Sequence, residues 1–331
     1  MDFVSTTPVT IVMPTHHRPA LLRRAIESIV AQSYPHALLE LIVIASENDA
    51  AFAIVNELRP TTDIKLTCLS IPNDPSNGRS PSAKRNYGVS LATSPWVALI
   101  DDDCVADPGW IAGAAPLFSD TSAGAIEGRK NIPAIDPPTF TYKGLLNFTR
   151  PGGYQTCNMF YRRDLFMKLG GFDLKFPFYL EDSDLAWTVL DAGHTIPFAS
   201  DAIVSHPVLE AQPWRMLDDA MRAALLPYLF KKHPQLFRQA GMRALRGIHW
   251  AYLILYAAAL AMAFTSWPML SLLPVTLLMA LLALNNLKMF RGCRVTRQEV
   301  VVTNVLLPVV PIIKLVQLIR GNLREGVWLW T

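Results

Sequence analysis

The segment Trp96-Val97-Ala98-Leu99-Ile100 is an unbroken apolar run that stops at three consecutive carboxylates, Asp101, Asp102 and Asp103. Such a run reads as a central strand of a parallel sheet, covered on both faces and therefore without polar alternation. The acids then sit at the C-terminal edge of the strand, where the loops of an open α/β sheet converge and ligands bind. Alternation along extended backbone predicts Asp101 and Asp103 on one side and Asp102 on the other, a spacing that suits one divalent cation carrying a phosphate ligand. Adjacent anions repel one another unless a cation, basic groups or solvent offset them. An acidic turn ahead of a helix starting at Asp107-Pro108 accounts for the same residues without a ligand.

The stretch before this run has α/β character. Residues 9–13 form a short β-branched strand stopped by Pro14. Residues 19–31 carry apolar side chains at helical spacing, with Pro19 in the first turn, and residues 39–44 form a second strand. The loop of this β-α-β unit is Thr15-His16-His17-Arg18. Residues 64–71 give a third strand, 72–81 a segment dense in turn formers, and 82–91 a helix. The start of that helix, with Lys84 and Arg85, can face phosphates, although a solvated charged face explains Lys84 equally well.

The chain has 331 residues with 51% apolar side chains and a mean hydropathy of +0.25, and the apolar excess lies beyond Arg246. The net charge of +3, without basic stretches interleaved with aromatics, argues against nucleic acid as a partner. Cys68, Cys104, Cys157 and Cys293 show neither C-x-x-C pairing nor zinc spacing, and read as reduced, mostly buried thiols. The N-terminus resembles neither a signal peptide nor an anchor, which places the first domain in the cytosol.

Residues 211–247 read as amphipathic, basic interface helices. Residues 248–264 and 269–287 each approach the ~20 residues a bilayer requires, with a tight turn between them. Arginines and lysines flank both ends of this hairpin, so the positive-inside rule puts both ends in the cytoplasm. Residues 300–319 are apolar but carry Pro308, Pro311 and Lys314, and read as a broken, re-entrant or interfacial segment within a basic 288–331 tail. Trp328 and Trp330 suit an interfacial anchor.

Taken in order, Pro14-Thr15-His16-His17-Arg18-Pro19, then Ser82-Ala83-Lys84-Arg85-Asn86-Tyr87-Gly88, then Asp101-Asp102-Asp103, resemble the family 2 glycosyltransferases. A second constellation agrees: Gly170-Gly171-Phe172-Asp173, followed by Tyr179-Leu180-Glu181-Asp182-Ser183-Asp184. The resemblance covers roughly residues 8–210. It implies a GT-A fold, a mixed and mostly parallel sheet flanked by helices, in a catalytic domain spanning 1–210. It also implies a nucleotide-diphosphate sugar as donor, with Mg2+ or Mn2+ as cofactor. On that resemblance Thr15, Arg18, Arg85, Asp101, Asp102 and Asn158 bind the donor, and Asp103 with His206 binds the metal. Where the family has an acidic pair after the second strand, this chain has Ala45-Ser46, and Glu47 takes that place with Asp49 nearby.

Transfer to a hydroxyl needs a carboxylate to take its proton, and Asp182 is assigned that role with Glu181 as the fallback. The alternative for these acids is a purely structural role in the first turn of their helix. The implied function is inverting sugar transfer at the cytosolic face of the inner membrane. The implied acceptor is a lipid-linked glycan of envelope or exopolysaccharide assembly. Two other readings are a non-catalytic nucleotide-sugar-binding scaffold and a sugar-phosphate nucleotidyltransferase. The latter needs a Gly-rich basic N-terminal loop that residues 15–18 do not provide.

Overall fold

In the computed structural model, which describes residues 6–72, 74, 76, 78–134, 151–208 and 214–330, the apolar runs become strands of one sheet. These are β1 (Val9–Pro14), β2 (Leu39–Ala45), β3 (Lys65–Ser70), β4 (Trp96–Leu99), β5 (Val105–Ala106), β6 (Ala125–Asn131), β7 (Met159–Arg162) and β8 (Phe198–Ser205). Their order is β3-β2-β1-β4-β7-β6-β8-β5. β1 pairs in parallel with both β2 and β4, whereas β7 runs antiparallel to β4 and β6. The result is the mixed, mostly parallel sheet implied by the motifs.

Every residue of β1, β2 and β4 is buried, because helices cover both faces. Val9, Ile11 and Met13 point into one apolar layer while Val12 points into the other, as the period of two requires. Helices α1 (Pro19–Val30), α2 (Ala51–Leu58) and α4 (Trp110–Ala114) pack on the first face. The second face takes α3 (Pro81–Leu91), α5 (Arg163–Lys168) and α6 (Glu181–Asp191). β1 sends its chain to β2 on one side while β4 lies on its other side, so a switch point opens at the C-terminal ends of β1 and β4. Thr15 and Asp101 leave the sheet there.

The chain divides into two compact units, Met1–Pro133 with Leu145–Val208, and Ala134–Gly144 with Leu209–Thr331. The first contains the sheet. The second is helical where described, with its longest helices at Gly247–Ala263, Leu272–Phe290 and Arg297–Glu325. Residues 211–213 of the basic linker lie outside the described residues.

One expectation about this helical unit changes. Residues 300–319 are not broken: they belong to one 29-residue helix with Pro308 and Pro311 inside it. Proline deletes a backbone donor and frees the carbonyl one turn earlier, here those of Asn304 and Leu307, yet the helix continues through both positions. Tyr256 donates its hydroxyl to the Pro308 carbonyl at 2.9 Å, and Asn286 donates to Asn304 at 2.8 Å. Among the described residues, two helices are long and apolar enough to cross a membrane, Pro268–Phe290 and Arg297–Glu325. The first arm of the expected hairpin has only 17 residues, about 26 Å at 1.5 Å per residue against a hydrocarbon core of about 30 Å.

Close approach of α3 to the sheet depends on Gly88, where a Cβ would lie 2.5 Å from Val12 Cγ1 and 3.2 Å from Ile44 Cγ1. Both neighbours are buried in central strands and have little room to yield. Gly88→Val is therefore expected to lower stability by about 1–3 kcal/mol, measured as a reduced midpoint of thermal or denaturant unfolding.

Candidate active site

β4 ends at Leu99, and Asp101 to Cys104 form a turn closed by the Cys104 amide donating to the Asp101 carbonyl at 3.1 Å. The period of two therefore does not reach the acids, and the expected pairing of Asp101 with Asp103 is replaced by another. Asp102 and Asp103 share Arg18, whose Nη1 lies 3.4 Å from Asp102 Oδ1 and 3.1 Å from Asp103 Oδ2. Thr15 Oγ1 donates to Asp102 Oδ2 at 2.7 Å. Asp101 turns the other way and takes a short charged hydrogen bond from Arg85 Nη2. Burial holds the Asp102 carboxyl above its usual range, and the Thr15 hydroxyl and Arg18 only partly offset this.

Asp103 Oδ1 also faces His206 Nε2 at 3.8 Å. His206 Nδ1 donates to the Pro207 carbonyl at 2.7 Å; a carbonyl only accepts, so in the neutral ring Nε2 carries the lone pair. A lone pair aimed at a carboxylate is repulsive until a cation lies between them, and a backbone-oriented imidazole of this kind is the usual metal-ligand arrangement. The donor set fits a divalent ion.

α3 contributes three consecutive side chains. Lys84 is buried, and its Nζ donates to the Thr15 carbonyl and, at 3.0 Å, to Ser46 Oγ. This excludes the solvated-face explanation. Burial brings its pKa down to about 8, against the opposing pull of Asp49, Asp74 and Asp102. Ser46 passes its own proton to the Gly78 carbonyl at 3.2 Å and is 2.7 Å from His16 Nδ1. Arg85 is 4% exposed; besides its bond to Asp101, its Nε and Nη1 are buried with no hydrogen-bond partner among the described residues. Its guanidinium lies over the Phe172 ring at 5.7 Å. Asn86 clamps Phe172 from both sides, donating to its carbonyl at 2.9 Å and accepting from its amide at 2.8 Å.

Glu181 and Asp182 open α6 directly after Leu180, which is buried in the left-handed conformation at φ 71°. A non-glycine residue held there is strained, and it sets the direction in which the helix starts. Asp182 Oδ1 accepts from the Ser183 amide at 2.8 Å. Burial, then the charge of Glu181, push the Asp182 carboxyl up to about 7, while Arg85 acts in the opposite direction. Arg85 thus stands in the fields of both acidic groups, Asp101 on one side and Glu181 with Asp182 on the other.

The structure brings together Thr15, Arg18, Arg85, Asp101, Asp102, Asp103 and His206, and places Glu181 and Asp182 within the field of Arg85. Two predicted donor residues stand apart. Glu47 is exposed on the turn after β2. The buried acid there is Asp49, which accepts from the His17 amide at 2.7 Å and the Ala51 amide at 3.0 Å. Asn158 is structural: it accepts from Trp110 Nε1 at 2.7 Å and gives its amide protons to the Arg129 and Ala202 carbonyls, each at 2.9 Å. Both amide protons are spent on the protein. Asp49, Ser46 and Lys84, which the sequence marks only as neighbours of the assigned residues, are all buried at this edge of the sheet.

Residues 7–223 match the family model described as glycosyltransferase-like family 2. The chain belongs to this family. Among relatives of this transferase is the glycosyltransferase AglE of Haloferax volcanii, 24% identical over 216 residues, covering 61% of this chain and 68% of the relative. The succinoglycan biosynthesis protein ExoM of Rhizobium meliloti is 29% identical over 222 residues, 62% of this chain and 68% of that one. A glucosyl-dolichyl phosphate glucuronosyltransferase of Haloferax volcanii is 28% identical over 163 residues, and there the match spans only half of the relative's length. A mannosyltransferase of Pyrobaculum calidifontis, solved with GDP-Man and Mn2+, shares the fold. Its TM-score is 0.63 at 21% identity, over 95% of this chain and 87% of that one.

Because the Asn158 amide is fully engaged, Asn158→Ala is expected to lower the stability of the transferase by about 1–3 kcal/mol through the polar groups it strands. Donor affinity of the folded fraction is expected to hold. Thermal unfolding and calorimetric titration with a nucleotide sugar measure the two effects separately.

Proposed function

We propose that this transferase moves a sugar from a nucleotide-diphosphate donor to an acceptor hydroxyl with inversion at the sugar carbon. The observation that carries this reading is one buried guanidinium, Arg85, with two unpartnered donor nitrogens, standing between the Asp101–Asp103 turn and the Glu181-Asp182 pair. Unsatisfied buried cationic donors cost several kcal/mol unless an anion meets them, and a diphosphate is such an anion. Thr15, Arg18, Asp101 and Asp102 line the donor side. Asp103 and His206 would hold Mg2+ or Mn2+, which supplies positive charge for the diphosphate as it leaves.

Asp182 takes the proton of the acceptor hydroxyl as its oxygen attacks the anomeric carbon. The bond from that carbon to the diphosphate oxygen breaks, and its electron pair departs with the nucleoside diphosphate. Arg85 meets the developing charge. Burial, and after it the charge of Glu181, raises the proton affinity of Asp182 toward neutrality, which is where a general base works best near pH 7. The apolar helices of the second unit support a membrane-bound enzyme with its active site at the cytosolic face of the inner membrane. A lipid-linked glycan of envelope or exopolysaccharide assembly is then the natural acceptor.

Two experiments test this. Replacing the base by a near-isostere that cannot take a proton, Asp182→Asn, should lower single-turnover transfer by ~10²–10⁴-fold at saturating donor while donor affinity changes little. The wild-type rate should fall by about tenfold per pH unit below the Asp182 pKa of about 7, because the base must be ionised. Near-wild-type transfer by the variant would shift the role to Glu181. Separately, Asp103→Ala should remove the divalent-ion dependence of donor binding, and equal donor affinity in chelator and in Mn2+ for the wild type would refute the metal assignment.

A further inference from the structure

The turn that carries the acidic triplet also brings together two thiols far apart in the chain. Cys104 and Cys157 are both free and buried. Their sulfurs and one carboxylate oxygen of Asp101 lie within 4.8 Å of one another. Donor atoms around a tetrahedral zinc ion sit roughly 3.3–3.8 Å apart, so the trio needs only a small contraction to close on an ion.

The geometry points to a second metal site here, formed by Cys104, Cys157 and Asp101 and selective for a thiophilic divalent ion such as Zn2+. Cys104 borders both candidate sites, since its Sγ donates to Asp103 Oδ1 at 3.5 Å and lies within 4.8 Å of the Asp103 and His206 donor atoms; the ion each set prefers is what distinguishes them. Carboxylate with one imidazole accepts Mg2+ or Mn2+, whereas two thiolates with a carboxylate strongly favour Zn2+ over those harder ions. Binding releases the two thiol protons to solvent and leaves the fourth position to water.

The site is inhibitory by construction. Asp101 is the carboxylate that holds Arg85, and an ion that takes Asp101 as a ligand competes with that guanidinium. This last step rests on the donor-binding reading of Arg85; the metal site itself does not.

The test uses the full chain in a non-thiol reductant, with Cd2+ as spectroscopic probe. Wild type should show a thiolate-to-metal absorption band saturating at one equivalent, with two protons released per ion. Cys104→Ser and Cys157→Ser should each weaken Cd2+ binding at least about 10-fold, while Asp103→Ala, which removes the neighbouring ligand, should leave the band in place. Should either serine variant fail to fold, wild-type protein decides alone: alkylating the less buried Cys68 and Cys293 should leave the Cd2+ band and the release of two protons per ion unchanged. Absence of a band in wild type, a band unchanged in both serine variants, or loss of the band on alkylating Cys68 and Cys293 overturns the proposal. Cd2+ binding that leaves nucleotide-sugar affinity unchanged retains the site and removes its inhibitory role, which then counts against Arg85 as the donor residue.

Discussion

One charge pair, buried Arg85 with partly exposed Asp101, ties α3 to the acidic turn at the edge of the sheet. Removing Asp101 would leave a buried guanidinium without its one observed charged partner, which is strongly destabilising. Arg85 is therefore tolerable only while Asp101 remains at the end of β4, and Asp101 remains there only while the turn to Cys104 holds. The spare donors on the same guanidinium are the feature on which the proposed anion-binding role rests.

Its neighbours on α3 extend the arrangement in both directions. Lys84 ties the helix to the end of β1 through the Thr15 carbonyl and to the end of β2 through Ser46. Asn86 ties it to the Phe172 loop. Three consecutive residues thus couple the Thr15 loop, the acidic turn and the Phe172 loop, and Gly88 allows the helix to sit close enough to do so. A helix can spread adjacent side chains this way because successive residues are rotated by about 100°; a strand could offer them only two directions.

The helical unit shows a different balance. Pro308 and Pro311 within Arg297–Glu325 would ordinarily end a helix, yet the helix runs through both, with Tyr256 and Asn286 of other helices bonding to the Pro308 carbonyl and Asn304 Oδ1. Hydrophobic length and charge placement along the sequence contain no information about these partners, which is why the segment read as broken.

Much of the fold was legible without coordinates. Uninterrupted apolar runs marked β1, β2 and β4, because strands buried on both faces need no polar residues, and proline with helical spacing marked α1. The ordered motifs located Thr15, Arg18, Arg85, the acidic triplet and Glu181-Asp182, since residue type and order survive in sequence. What they could not specify was direction. That Asp102 and Asp103 share Arg18 while Asp101 turns to Arg85 follows from a turn beginning right after Leu99. Asp49 rather than Glu47 is the buried acid after β2, and Asn158 spends its amide on Trp110 and two carbonyls. The meeting of Cys104 with Cys157 is the plainest case: their separation along the chain carries no zinc signature, and only the tertiary packing of the acidic turn against the segment leading into β7 brings the sulfurs together. Sequence determined the elements and the chemistry available at their ends; the three-dimensional packing of turns decided which of those groups meet, because that choice rests on contacts between residues dozens of positions apart.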